Sequence, residues 1–167
     1  LGAGGSLSTG APGAEGAEPT TFTFDPRHPV PTMGGGISAA AGFMEPGAYD
    51  QRGRPDFIGC ADTLPLNARD DVVSFQTPHL QEDTEVTGPI EMHLWASSSA
   101  ADTDFTAKLV DVYPPTADDP EGLAINVTDS IIRARYRNGW EHAELMTPGQ
   151  PYELVFQLYP TSTLFRE

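Results

Sequence analysis

The chain has 167 residues, a net charge of −15, 17 glycines and 16 prolines. Such acidity argues against nucleic acid or an anionic membrane as a partner. The density of glycine and proline argues against a helical protein and for short strands joined by tight turns. One cysteine, Cys60, leaves no internal disulfide to form, and no apolar run approaches the ~20 residues of a membrane-spanning helix.

Taken in chain order, residues 1–20 are glycine, alanine, serine and glutamate with little to bury, which predicts a linker or lead-in from a preceding domain. Phe22 and Phe24 in TFTF predict a short strand closed by Asp25-Pro26. The triple glycine Gly34-Gly35-Gly36 lacks the strand–helix context and lysine of a phosphate loop, so it predicts a sharp bend or a close backbone approach. Residues 37–66 form a long irregular segment that carries Phe43, Met44, Tyr49, Phe57 and Ile58. Loops of that length are functional or pinned to a partner. A strand is expected over 71–76, stopped by Pro78.

The stretch 85–114 is the centre of the pattern. Ile90, Met92, Leu94 and Ala96 alternate with Glu91, His93, Trp95 and Ser97, and after the polar SSSAAD turn Phe105, Ala107 and Leu109 alternate with Thr106 and Lys108. Period-two alternation with a small turn predicts a hairpin with one buried face, which needs the other segments to cover it. Leu123, Ile125 and Val127 predict another strand, interrupted at Asp129-Ser130. Ile132, Ala134 and Tyr136 then continue opposite Arg133, Arg135 and Arg137. Tyr152, Leu154, Phe156 and Leu158 form the last complete strand, ended by Pro160. The sum is about six to eight strands, which suggests an all-β two-sheet sandwich or jelly roll, and the final STLFRE carries no stop signal.

Chemistry is sparse. No G-x-S-x-G nucleophile elbow occurs, and His28, His79, His93 and His142 are too scattered for a zinc site; no metal or cofactor is implied. Asp102 with Asp104, or Asp118, Asp119 and Glu121, offers oxygen ligands for calcium or simply turn and strand-end hydrogen bonds. The Arg133, Arg135 and Arg137 set reads either as ion pairs, cross-strand or interdomain, or as a dock for an acidic partner. Trp95 and Trp140 suit a sugar-stacking platform or packing against another domain. Asn126-Val127-Thr128 fits the glycosylation sequon by pattern, within a segment that reads as strand.

Several blocks carry a resemblance: FTFDPRHPVPTMGGG, YDQR at 49–52, ARDDVVSFQTPHL, the 85–114 stretch, LAINVTDSIIRARYR and PGQPYELVFQLYPTSTLFRE. Together they resemble the C-terminal jelly-roll region of the cocaine esterase / X-Pro dipeptidyl-peptidase hydrolases, the CocE/NonD group. GRPDFIGCADTLPLN, 53–67, stands out as an insertion. The resemblance implies a non-catalytic domain lying on an α/β-hydrolase domain with a Ser-His-Asp triad and on a helical cap, and helping to close the active site. It implies that the triad lies outside this chain, so that the chain alone is inactive, and that Ile37, Phe43 and Met44 line the substrate pocket. It also implies an all-β jelly-roll sandwich over 21–167, galactose-binding-like, with a further strand expected after Glu167 and so incomplete at its C-terminal end. A stand-alone carbohydrate-binding jelly roll is the alternative, and self-association as a homo-oligomer is a third possibility.

Overall fold

A computed structural model describes residues 1–10, 19–36, 40 and 43–167. Four long strands dominate it: β1 (Thr84–Ala96), β2 (Asp104–Tyr113), β3 (Leu123–Arg133) and β4 (Tyr152–Phe165). The only helical pieces among the described residues are three short 3₁₀ turns. The strands form two antiparallel pairs, β1 with β4 and β2 with β3. The inner faces of the pairs meet. Leu154, Phe156 and Leu158 of β4 and Ile132 of β3 are buried, with Ile90, Met92 and Leu94 of β1 and Phe105 and Leu109 of β2 packed around them. The fold is the expected all-β sandwich.

The pairing is not the expected one. β1 and β2 do not make a hairpin; they belong to opposite sheets. The intervening polar residues are engaged elsewhere. Ser98, Ala101 and Thr103 give their carbonyls to the N–H groups of Gly149, Met146 and Ala134. The connection is therefore a crossing between layers, stitched to the 134–149 segment, rather than a turn. β3 also runs straight through Asp129-Ser130, where an interruption was expected. Asp129 stands opposite Lys108 and bonds it at 2.9 Å, so its charge is matched within the ladder.

β4 passes Pro160 rather than ending there. Gly88 faces Thr161 and Ile90 faces Leu158, so Tyr159 and Pro160 together oppose Pro89. A proline on each strand falls where the ladder is broken, so neither missing N–H leaves a neighbour unpaired. A second bulge lies in the other sheet. Leu109 faces Thr128 and Val110 faces Asn126, leaving Val127 as the extra residue. Thr128 Oγ1 joins the two bulges by donating to the Tyr159 carbonyl at 2.7 Å.

Two predicted short strands are absent among the described residues. Phe22 and Phe24 are exposed and unladdered, and 72–76 contributes a single parallel bridge, Ser6 to Gln76. Residues 49–52 instead supply bridges, Asp50 to Ile125 on β3 and Arg52 to Pro65. The 53–67 segment closes on itself over a second small core of Met33, Phe57 and Leu66.

Candidate functional site

The two bulges and the triple glycine meet. Gly34 and Gly35 have φ of 73° and 106°, a region that favours glycine. Gly35 and Gly47 exchange both backbone hydrogen bonds, at 2.9 and 3.0 Å, closing the loop between them. A methyl group on Gly35 would come within 2.9 Å of Asp129 Oδ2, so the glycine backbone lies directly on the Lys108–Asp129 pair. The expected close approach is present. A cleft of about 300 Å³ opens beside it, lined by Gly35, Gly36, Gly47, Thr128, Asp129 and Tyr159.

Phe43 and Met44 sit on the loop that this glycine pair closes. Both N–H groups donate to the Ala40 carbonyl, and Phe43 is 51% exposed. Ile37 lies outside the described residues. Just beyond, the Tyr49 hydroxyl donates to Glu45 Oε2 at 2.8 Å, and the Arg54 guanidinium lies 5.5 Å from the Tyr49 ring and 4.6 Å from that of Phe57. Asn126, buried on β3, accepts the Tyr49 N–H at 3.0 Å. A sequon asparagine held this way is not offered to solvent. Sequence reasoning missed Tyr49, Asn126 and Tyr159 as site residues. YDQR marked the first as part of a motif, but the sequon drew attention to the wrong chemistry at the second.

The arginines do not share one strand face. Arg133 ends β3, Arg135 lies in a 3₁₀ turn (Ala134–Tyr136), and Arg137 follows it. Arg133 makes a two-pronged contact with its cross-strand neighbour Asp104, which holds that carboxyl below the usual range. Arg135 pairs with Asp102 at 2.6 Å, and Arg137 donates to the Ala134 and Glu144 carbonyls over the Tyr152 ring. Asp102 and Asp104 are thus arginine partners, and no acidic or histidine group that could hold a metal ion is found among the described residues. Trp95 projects outward from β1, 69% exposed, and Trp140 stacks on Tyr136.

His93 lies beside Trp95 on the outer face. Its Nδ1 is 2.9 Å from Glu153 and its Nε2 2.8 Å from Glu91. Ionised carboxylates only accept, so the two contacts are both hydrogen bonds when the imidazole is protonated on both nitrogens. Glu153 first, and Glu91 with it, raises the pKa above the usual histidine value. The clamp's contribution to stability is therefore present at low pH and is lost as pH rises through the folded-state value. An NMR titration should place the His93 midpoint above that of a free histidine, and Glu153→Gln should bring it down. An unshifted midpoint in the unsubstituted protein would mean the clamp does not form.

The polar groups around the cleft are engaged in contacts within the domain. The carboxylate is neutralised by a lysine, and the amide and threonine are committed to backbone partners. With the two-layer fold, these contacts define a braced all-β sandwich domain.

Residues 3–167 match the family model described as the X-Pro dipeptidyl-peptidase C-terminal non-catalytic domain. The chain is 40% identical over 162 residues to the cocaine esterase of Rhodococcus sp. (strain MB1 Bresler), covering 97% of this chain and 24% of that enzyme. It superposes on a selenomethionine-labelled α-amino acid ester hydrolase with a TM-score of 0.76 at 30% identity, over 99% of this chain and 26% of the other. An aminopeptidase from a marine sediment Thaumarchaeota archaeon matches with a TM-score of 0.56 and 30% identity, over 59% of this chain and 17% of the other. The chain belongs to the X-Pro dipeptidyl-peptidase C-terminal non-catalytic domain family, as found in CocE/NonD-type hydrolases. It spans about a quarter of the length of the relatives it matches over nearly its whole length.

Proposed function

We propose that this domain packs on an α/β-hydrolase domain and its helical cap and helps shape the active-site cleft of an acyl esterase or X-Pro dipeptidyl-peptidase type of serine hydrolase. In such an enzyme the serine attacks an ester or amide carbonyl while a histidine carries the proton. The present domain supplies apolar wall, with Ile37, Phe43 and Met44 as the wall residues. Arg133, Arg135 and Arg137 keep the 134–149 segment in place, and Trp95 is a contact for a neighbouring domain.

The observation that carries this reading is Phe43. A large aromatic stands half-exposed on a loop whose two ends are tied together by glycines over a charged pair. Phe43 and Met44 side by side on so well-braced a base suit a surface whose side chains must be held in place for another domain. Kinetics of Phe43→Ala in the full-length hydrolase test it. The expected outcome is a fall in kcat/KM of roughly tenfold for a bulky ester and little change for a small one. Unchanged kcat/KM for both would remove Phe43 from the wall.

A further inference from the structure

We propose that Tyr49 and Asn126 are positioning residues that link Phe43 and Met44 to the β2–β3 sheet and fix their orientation; this rests on the reading of those two residues as pocket wall.

The connection is continuous. Asn126 sits beside the extra residue of the β3 bulge, 2% exposed, and grips Tyr49 from both sides. Its Oδ1 accepts the Tyr49 N–H and its own N–H donates to the Tyr49 carbonyl at 3.2 Å. The neighbouring residues repeat the grip. Gln51 N–H reaches the Ala124 carbonyl at 2.8 Å, and the Asp50 carboxylate accepts the Ala124 N–H at 2.9 Å. Tyr49 is therefore fixed to the sheet by its backbone, which leaves its side chain as a rigid arm.

That arm ends on Glu45, the residue that follows Met44. Arg54 braces it, with its guanidinium beside the Tyr49 ring and a nitrogen 3.8 Å from Glu45 Oε2. Glu45 holds the phenol's pKa above its ordinary value, and the hydroxyl donates to Glu45 Oε2. The Gly35–Gly47 pair sets where the loop begins and ends, while the Tyr49–Glu45 bond sets how its Phe43–Met44 end is oriented. On the same segment the Phe43 and Met44 N–H groups share the Ala40 carbonyl, which makes a turn that Glu45 ties to Tyr49.

Tyr49→Phe isolates the effect, because it keeps the ring beside Arg54 and Phe57 and removes only the hydroxyl. In the full-length hydrolase, using nitrophenyl acetate and nitrophenyl benzoate, Tyr49→Phe should lower kcat/KM for the benzoate about fivefold, the scale of one hydrogen bond, and for the acetate less. Glu45→Ala should reproduce this, and Glu45→Gln, which retains an acceptor oxygen, should restore most of the activity. In a Phe43→Ala background, Tyr49→Phe should have no further effect. Equal losses in both backgrounds, equal losses for both esters tracking a lower melting temperature, or no loss at all would overturn the positioning role while leaving Phe43 in the wall. If Phe43→Ala itself leaves both esters unchanged, the wall reading fails and the positioning role falls with it.

Discussion

Replacing Leu154 by alanine is expected to cost about 3–5 kcal/mol of folding stability, the upper part of the range for a leucine truncated in a closed core. Leu154 is fully buried, 0% exposed, on β4. It faces Leu94 across the β1–β4 ladder and packs in the cluster that also contains Ile132 from the opposite sheet. Both layers thus rest on it. Its neighbours are themselves strand residues in fixed register, so they cannot collapse into the space it vacates. For a chain of this size the loss corresponds to a melting temperature lower by roughly 10 °C. Val155, the next residue, points outward and is 40% exposed. In this 167-residue chain Val155→Ala should fall within about 1 kcal/mol of the unsubstituted protein. Denaturant midpoints for the two variants give the comparison. Similar losses at both positions would mean that the space between the sheets is not where this domain's core lies.

The contrast between these neighbours shows what alternation can reveal. Side-chain period gives the face a residue occupies, and the buried set Leu154, Phe156 and Leu158 follows from it directly. It does not say which strand lies alongside. The segments 85–96 and 104–113 read as a hairpin because a short polar stretch joins them, but that stretch spends its carbonyls on residues 134–149 and passes between layers. The arginine run failed for a related reason. The alternation of Arg133, Arg135 and Arg137 continues beyond the strand only in spelling, since Ala134 and Arg135 turn to bond Thr103 and Asp102. Pro160 misled in the other direction, because a proline at a bulge ends nothing. The site was legible in part. Three glycines in a row announced a close approach, and Gly35 makes it on Asp129. Its supports were not legible, because Asn126 and Asp129 gain their roles only where β3 comes under Gly34, Gly35 and Tyr49. Such distant pairings leave no periodic trace.

Gly34→Ala is the substitution expected to damage that construction most. Two costs combine. At φ of 73° an alanine occupies the left-handed region, at about 1–2 kcal/mol. Its methyl group would also overlap the Gly47 carbonyl oxygen and come within 2.9 Å of Asn126 Oδ1 and of the Tyr49 ring. Those atoms cannot yield cheaply. The Gly47 carbonyl accepts the Gly35 N–H, and Asn126 Oδ1 accepts the Tyr49 N–H, so relief of the overlap breaks a hydrogen bond that holds the loop closed. Crowding of this kind adds about 1–3 kcal/mol, and the total expected loss is about 2–5 kcal/mol. Gly149 separates the terms. It has a similar φ, 79°, but nothing within 4 Å of where a methyl would stand. Gly149→Ala should therefore show the backbone cost alone, and the difference between the two variants measures the crowding at Gly34. In the full-length hydrolase Gly34→Ala should also lower kcat/KM for bulky esters more than Tyr49→Phe does, because it moves the base of the loop rather than one brace of it. Equal destabilisation at Gly34 and Gly149, with kcat/KM unchanged at Gly34, would mean that the glycine loop is not seated on β3 as described.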